Sequence, residues 1–222
     1  MSRVTFAALL SLRGPAVVLT VGAAVLLSGC QGPATPSGSP SETGSTTASP
    51  TVSVSVPAAS ATSSSSGAYK PADAQGKAQN VPVPVMPELA KENSKAGLEA
   101  FIGYWFQELS YAYETGDTAK ADELSNDTCR LCNDLLSGVA ANYSNGRWLI
   151  GGQYQTPVVE VFWAPSSPSQ SAKVQVLQQQ ILYMNGDGSA GREPTGETND
   201  AAAFFGVFAD GSWSVTDLGV IR

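Results

Sequence analysis

Leu98, Phe101, Ile102, Trp105, Phe106, Leu109 and Tyr113 recur at i, i+3, i+4, i+7, i+8, i+11 and i+15. That spacing lines them along one face of a long helix. Asn93 or Ser94 is placed to cap its start, and Gly116 to supply a left-handed stop. Asp117 opens a second, short helix through Thr118 to Leu124, and a third is predicted from about Cys132 to Tyr143, closed by Asn145-Gly146. Beyond that point the hydrophobic period falls to two. Strands are predicted over Trp148–Tyr154, Pro157–Trp163, Lys173–Met184, Phe204–Ala209 and Trp213–Ile221, with Asp210-Gly211 as a tight hairpin turn between the last two. The Gly-rich, polar stretch Asn185–Asp200 reads as a long loop. Three helices followed by a curved antiparallel sheet make an α+β domain, spanning 69–222.

The chain before this domain has a different pattern. Arg3 and Arg13 precede an apolar run from Ala16 to Leu27, broken by Thr20 and Gly22 and too short to span a bilayer as a helix. This is the layout of a signal peptide over 1–29. The quartet Leu27-Ser28-Gly29-Cys30 that ends it resembles the lipobox of bacterial lipoproteins. The resemblance implies cleavage between Gly29 and Cys30, with a diacylglycerol thioether on the Cys30 sulfur and further acylation of the new N-terminus. Two or three acyl chains hold a protein stably on a membrane, here on its extracytoplasmic face. The alternatives are an ordinary secretory signal with a chance Cys, or an uncleaved anchor. From Cys30 to Ala68 the chain is dominated by Ser, Thr, Pro, Ala and Gly, with Glu42 the one charged residue of the tract. Such a composition cannot bury enough apolar surface to offset chain entropy and reads as a disordered linker. Val81-Pro82-Val83-Pro84-Val85-Met86-Pro87 then forbids a helix and favours an extended strap leading into the domain.

Charge narrows the list of partners. The formal net charge is −7, and losing Arg3 and Arg13 with the signal leaves −9. Nucleic acid is excluded, because binding it needs a basic face. With no His in the chain, every Ser-His-Asp and Cys-His arrangement is excluded too, and neither a metal site nor a cofactor is expected.

Three features carry candidate chemistry. Cys129 and Cys132 form a C-x-x-C at the start of the third helix. In an oxidising compartment this reads as a short structural disulfide; a redox role needs a preceding βα unit, and zinc needs two more ligands. Glu160 shares one strand face with Val158 and Phe162, while Val159, Val161 and Trp163 share the other. On a concave face it would be a carboxylate in apolar surroundings, suited to general-base chemistry; on the solvent side it is a surface charge. Tyr104, Glu108 and Tyr111 flank the apolar stripe of the first helix. They suit a pocket mouth, a partner surface, or a bed for the proline strap.

Phe101-Ile102-Gly103-Tyr104-Trp105, Thr115-Gly116-Asp117, Cys129-Arg130-Leu131-Cys132 and Trp148 through Gly151-Gly152, in this order, resemble an actinobacterial lipoprotein family of unknown function, domain family 6318. The lipobox, the Ser/Thr/Pro tract and Asn80-Val81-Pro82 belong to the same resemblance. The order of helices and strands is also similar to the NTF2-like (SnoaL-like, cystatin-like) cone. Two readings of function stand. One is a non-catalytic, lipid-anchored domain that binds an envelope protein or a small apolar ligand. The other is an isomerase- or SnoaL-like enzyme with Glu160 as general base.

Overall fold

The computed structural model describes residues 67–222. The signal segment, Gly29, Cys30 and the tract up to residue 66 lie outside the described residues. Helix α1 runs Lys95–Thr115. Ser94 Oγ accepts a hydrogen bond from the Gly97 N–H at 3.0 Å, and Gly116 ends the helix at φ 81°. Its apolar stripe is fully covered: Leu98, Phe101, Ile102, Trp105 and Leu109 are all 0% exposed. The short α2, Ala119–Glu123, starts where Asp117 Oδ1 accepts from the Ala119 N–H. Helix α3, Arg130–Tyr143, begins beside a Cys129–Cys132 disulfide buried in the core. The segment between α2 and α3 is tied to the last strand by Asn126 N–H to the Val215 carbonyl and Val215 N–H to the Leu124 carbonyl.

Seven strands follow, all paired antiparallel: β1 Trp148–Gly151, β2 Tyr154–Phe162, β3 Ser169–Gln178, β4 Ile181–Met184, β5 Ala190–Thr195, β6 Thr198–Ala209 and β7 Ser212–Ile221. They form two ladders, β1-β4-β5 and β2-β3-β6-β7. The expected strand Trp148–Tyr154 divides at Gly151-Gly152, where φ is 77° and 83°. The expected strand Lys173–Met184 starts earlier, at Ser169, and breaks at Gln179-Gln180. The stretch Asn185–Asp200 is not a loop: it holds β5 and the start of β6. Strand β5 is exposed along its whole length and carries Pro194, so no alternation announces it. Backbone pairing to β4 makes it a strand, and its polar, proline-bearing sequence suits a sheet edge.

The two ladders meet at a corner. Gly152 N–H donates to the Gln180 carbonyl and Gln179 N–H to the Gln153 carbonyl, carrying the pairing round the bend. The break between β5 and β6 falls in line with the other two, since Tyr154 pairs with Gln178 and Gln178 with Thr198. One face of the bent sheet packs on α1 through Val161, Val174, Ala202, Phe204, Trp213 and Val215. Phe204 sits edge-on to both Phe101 and Trp105, at 6.4 and 6.2 Å between ring centres. Aromatic residues of this size dominate the burial that offsets chain entropy.

The chain enters along the outside. Residues 70–79 close a small loop, with Lys70 N–H bonded to the Gln79 carbonyl, and Trp148 Nε1 donates to the Asp73 carbonyl at 3.0 Å. The strap leads into a 3-10 turn at Glu88–Lys91, and Trp213 Nε1 donates to the Glu92 carbonyl at 2.9 Å. Among the described residues no helix is long and apolar enough to cross a membrane.

Candidate functional site

The corner of the sheet opens into a cleft of about 470 Å³. Gln153 and Gln155 reach it from β2 and its approach, Gln178 and Gln179 from the end of β3, and Glu197, Thr198 and Asn199 from the start of β6. Leu177 is its apolar element. The residues meet because all three strand breaks coincide: Gln155 is paired with Leu177, and Leu177 with Asn199. Behind it, a smaller cleft of about 210 Å³ shares Gln153 and Gln179 and is bounded by Pro71, Glu114 and Gly151.

A row of phenols supports this wall from inside. Gln178 Nε2 donates to the Tyr154 hydroxyl at 2.7 Å, the Tyr154 hydroxyl donates to that of Tyr113 at 3.2 Å, and the Tyr143 hydroxyl donates to the Tyr113 carbonyl at 2.8 Å. Burial holds the Tyr154 phenol far above the ordinary tyrosine range, and the neighbouring Tyr113 adds to that. Tyr154 is therefore a neutral donor at any physiological pH. At the smaller cleft, Tyr69 donates to Glu114 Oε2 at 2.6 Å, and desolvation followed by that carboxylate pushes its phenol up to about 12.

One atom in the cleft wall is unsatisfied. Gln153 Oε1 is buried and accepts from no donor among the described residues, which costs about 1–3 kcal/mol if nothing completes it. Each glutamine offers one acceptor and two donors. Glu197 is the single carboxylate of the larger cleft, and no thiol or amine stands beside it. Such a lining can hold a polar molecule in a fixed orientation through its amide donors and acceptors.

The residues singled out from the sequence lie elsewhere. Glu160 is exposed on the outer face of β2, opposite Lys173 of β3, while Val161 turns inward and is 5% exposed. Its neighbours Val158 and Phe162 are 56% and 53% exposed, so this is the open face of the sheet, away from α1. Tyr104 and Glu108 are covered, and Tyr111 is half-buried. The charged groups acting on them are Lys120 and Glu123 of α2 and Asp117 before it. The glutamines have no sequence signature of their own, because amides carry no distinctive spacing. The run Gln178-Gln179-Gln180 opposite Gly151-Gly152 is the one signal that points to them.

Glu108 titrates abnormally. Burial raises its carboxyl above the usual range, aided by Asp117 and Glu123 and opposed by the Tyr104 hydroxyl and Lys120. A raised folded-state value means that the folded chain holds this proton at a pH where the unfolded chain has lost it. Glu108 therefore favours folding below the ordinary carboxyl range, and that contribution is lost as pH rises through its elevated value. Glu108→Gln is expected to raise Tm at pH 7, with the gain shrinking toward zero near about pH 4. Thermal melts of both proteins across this range check it; a Tm difference independent of pH contradicts it.

Residues 67–219 match the model of a family described as a family of unknown function (DUF6318). No curated protein matches the chain. Among solved structures, the chain is similar to the intermembrane space region of the chloroplast protein ARC6, at 9% identity and a TM-score of 0.44 over 59% of this chain and 98% of that one. It is also similar to an uncharacterised protein with a cystatin-like fold from Caulobacter vibrioides, at 12% identity and a TM-score of 0.36 over 55% of this chain and 87% of that one. A putative scytalone dehydratase from Novosphingobium aromaticivorans matches at 12% identity and a TM-score of 0.36, over 57% of this chain and 87% of that one.

Proposed function

The chain belongs to the DUF6318 family of unknown function, and from that premise we propose that it is a non-catalytic binding domain, tethered to the extracytoplasmic face of the cell membrane by diacylglycerol on Cys30. The finer description of its fold is an NTF2-like cone, supported by the long α1 lying across a bent antiparallel sheet. In this reading the ligand is neutral and rich in hydroxyl and amide groups. The observation that carries it is the buried, unpaired Gln153 Oε1 in the wall of an amide-lined cleft. A ligand hydroxyl or N–H entering beside Gln153 would complete that buried acceptor once the side-chain amide turns out of the wall toward it, and the cleft volume falls in the range of small-molecule sites, about 300–1,000 Å³.

An apolar ligand fits less well, because the space between α1 and the sheet is filled by Phe101, Trp105 and Phe204. Isomerase-like chemistry at Glu160 would need an enclosed carboxylate, and Glu160 stands on an open face. The test is calorimetric titration of the full chain in detergent with N,N′-diacetylchitobiose and, in parallel, with an apolar steroid. The expected result is saturable binding of the disaccharide, weakened at least about tenfold, or 1.4 kcal/mol, by Gln153→Ala and by Gln178→Ala. Steroid binding without disaccharide binding, or disaccharide binding indifferent to both substitutions, would overturn the reading.

A further inference from the structure

Beyond residue 66 the arginines are Arg130, Arg147, Arg192 and Arg222, and Arg147 and Arg192 line one small pocket. Strand order brings them there. Strand β4 lies between β1 and β5; Arg147 directly precedes Trp148, which pairs with Met184, and Arg192 pairs with Tyr183. The two residues therefore flank the end of β4 from opposite sides. Asn142 of α3 and Asn185 after β4 add to the polar lining. The chain carries 19 acidic side chains against 12 basic ones, yet no carboxylate lines this pocket.

Both guanidinium groups are held in place with donors unspent. Arg192 Cζ stands 3.6 Å over the centre of the Tyr183 ring, and that ring is fixed by burial and by a 2.7 Å hydrogen bond between its hydroxyl and Thr195 Oγ1. A guanidinium stacked on a ring keeps its N–H bonds for a ligand at its edge, and among the described residues none accepts from Arg192. Arg147 Nε donates to the Ser144 carbonyl at 3.3 Å, and Nη2 to the Ala141 carbonyl and to Ser144 Oγ. Its Nη1 keeps two hydrogens. Asn142 Nδ2 spends one hydrogen on the Gly138 carbonyl at 2.7 Å and keeps the other. Asp187, in the turn after β4, spends Oδ1 on the Ser189 N–H and hydroxyl, and the ion pairs among the described residues are all made by lysines.

Size and charge select the ligand. The pocket holds about 70 Å³, against about 30 Å³ for one water in the liquid, which is room for a small ion and not for a sugar ring. A carboxylate is satisfied by one guanidinium fork. Two forks and an amide N–H, arriving from both sides of β4, suit the oxygens of a tetrahedral phosphate. Arg192 also borders a wider cleft of about 360 Å³ along β5, where Glu193 can accept from a hydroxyl. We propose that Arg147, Arg192 and Asn142 form a phosphate site, and that the hydroxylated remainder of a phosphate ester lies along β5. The pocket shares no residue with the corner cleft, so it stands or falls separately from the binding proposed there.

The test is calorimetric titration of the full chain in detergent, at fixed ionic strength, with inorganic phosphate, glycerol 1-phosphate, glycerophosphoglycerol and acetate. The expected result is saturable binding of glycerol 1-phosphate and phosphate, with acetate at least about tenfold weaker. Arg147→Gln and Arg192→Gln should each weaken the ester at least about tenfold. Arg192→Lys should weaken it at least about fivefold, because an ammonium keeps the charge but not the fork. Arg130→Gln changes an exposed arginine outside the pocket and should leave affinity unchanged. Arg147→Gln also removes bonds at the end of α3, so if circular dichroism shows it unfolded, the exposed Arg192 variants decide. Glycerophosphoglycerol, the deacylated headgroup of phosphatidylglycerol, binding as tightly as glycerol 1-phosphate assigns the site to a lipid headgroup; weaker binding assigns it to a free phosphate monoester. No saturation at about 10 mM phosphate or ester, acetate binding equally well, Arg192→Lys matching the parent, or an equal loss in Arg130→Gln would each overturn the proposal.

Discussion

Trp105→Ala is expected to remove about 3–5 kcal/mol of folding stability, the range for truncating a fully buried aromatic. A domain of this size has only about 5–15 kcal/mol in all, so the variant sits at or near the edge of folding. The ring is 0% exposed and makes edge contacts with Phe106 at 4.9 Å and Phe204 at 6.2 Å between centres. Truncation therefore opens a void between α1 and β6 that rigid neighbours cannot fill. There is a polar cost as well. Trp105 Nε1 donates to Ser125 Oγ at 2.9 Å, and Ser125 Oγ donates to the Ala121 carbonyl at 2.7 Å. This chain of bonds joins α1 to α2 and to the segment bonded to Val215. Trp105→Phe keeps most of the packing and loses the N–H, with an expected loss of about 1–2 kcal/mol. Urea denaturation of the full chain measures both. Equal losses in the two variants would mean that the hydrogen bond, not the ring, holds the junction.

Helix α1 is legible in the sequence because its seven large apolar residues all lie on the face the sheet covers, so period and burial report the same thing. The Asp210-Gly211 turn is legible for a related reason. Both residues take positive φ, at 53° and 80°, and few residue pairs do so cheaply. The corner is not legible. Its strands stop at Gly151-Gly152 and Gln179-Gln180, where the side chains give no change of hydrophobic period. What breaks the ladder is backbone geometry, and the carbonyl of Gln180 lies far in sequence from the glycines it faces.

The side on which Glu160 falls is undecidable from sequence for a different reason. Valines occupy both faces of β2, at 158 on one and at 159 and 161 on the other. Only the docking of α1 on the Val161 side makes the Glu160 side the outer one. The candidate flank of α1 is half legible: the 100° offset places Tyr104 and Glu108 together, but no residue pattern announces that α2 folds back toward them. Burial of Glu108 follows from the short turn through Asp117 and Thr118, a property of chain direction and not of composition.

The corner is also where a single methyl group should do the most damage for its size. Gly151→Ala is expected to destabilise the domain by about 2–5 kcal/mol, combining a left-handed backbone penalty of roughly 1–2 kcal/mol with overpacking of about 1–3 kcal/mol. Gly151 has φ 77°, and a Cβ built there meets the Gln180 carbonyl oxygen at 2.2 Å. That oxygen cannot swing aside, because it accepts the Gly152 N–H at 3.1 Å and belongs to the link between β3 and β4. Gly211→Ala separates the two costs. It has nearly the same φ, 80°, with nothing within 4 Å of the added carbon, so it should show the backbone penalty alone. The excess at Gly151 is then the clash, and relieving it means shifting Gln179 and Gln180 away from Gln153. Affinity for the disaccharide should accordingly fall in Gly151→Ala even at temperatures where the chain is still folded, and stay unchanged in Gly211→Ala. Urea midpoints and calorimetric titrations of the two variants decide it. If they are equally destabilised and bind equally well, the corner yields to the methyl group and the cleft does not depend on its rigidity.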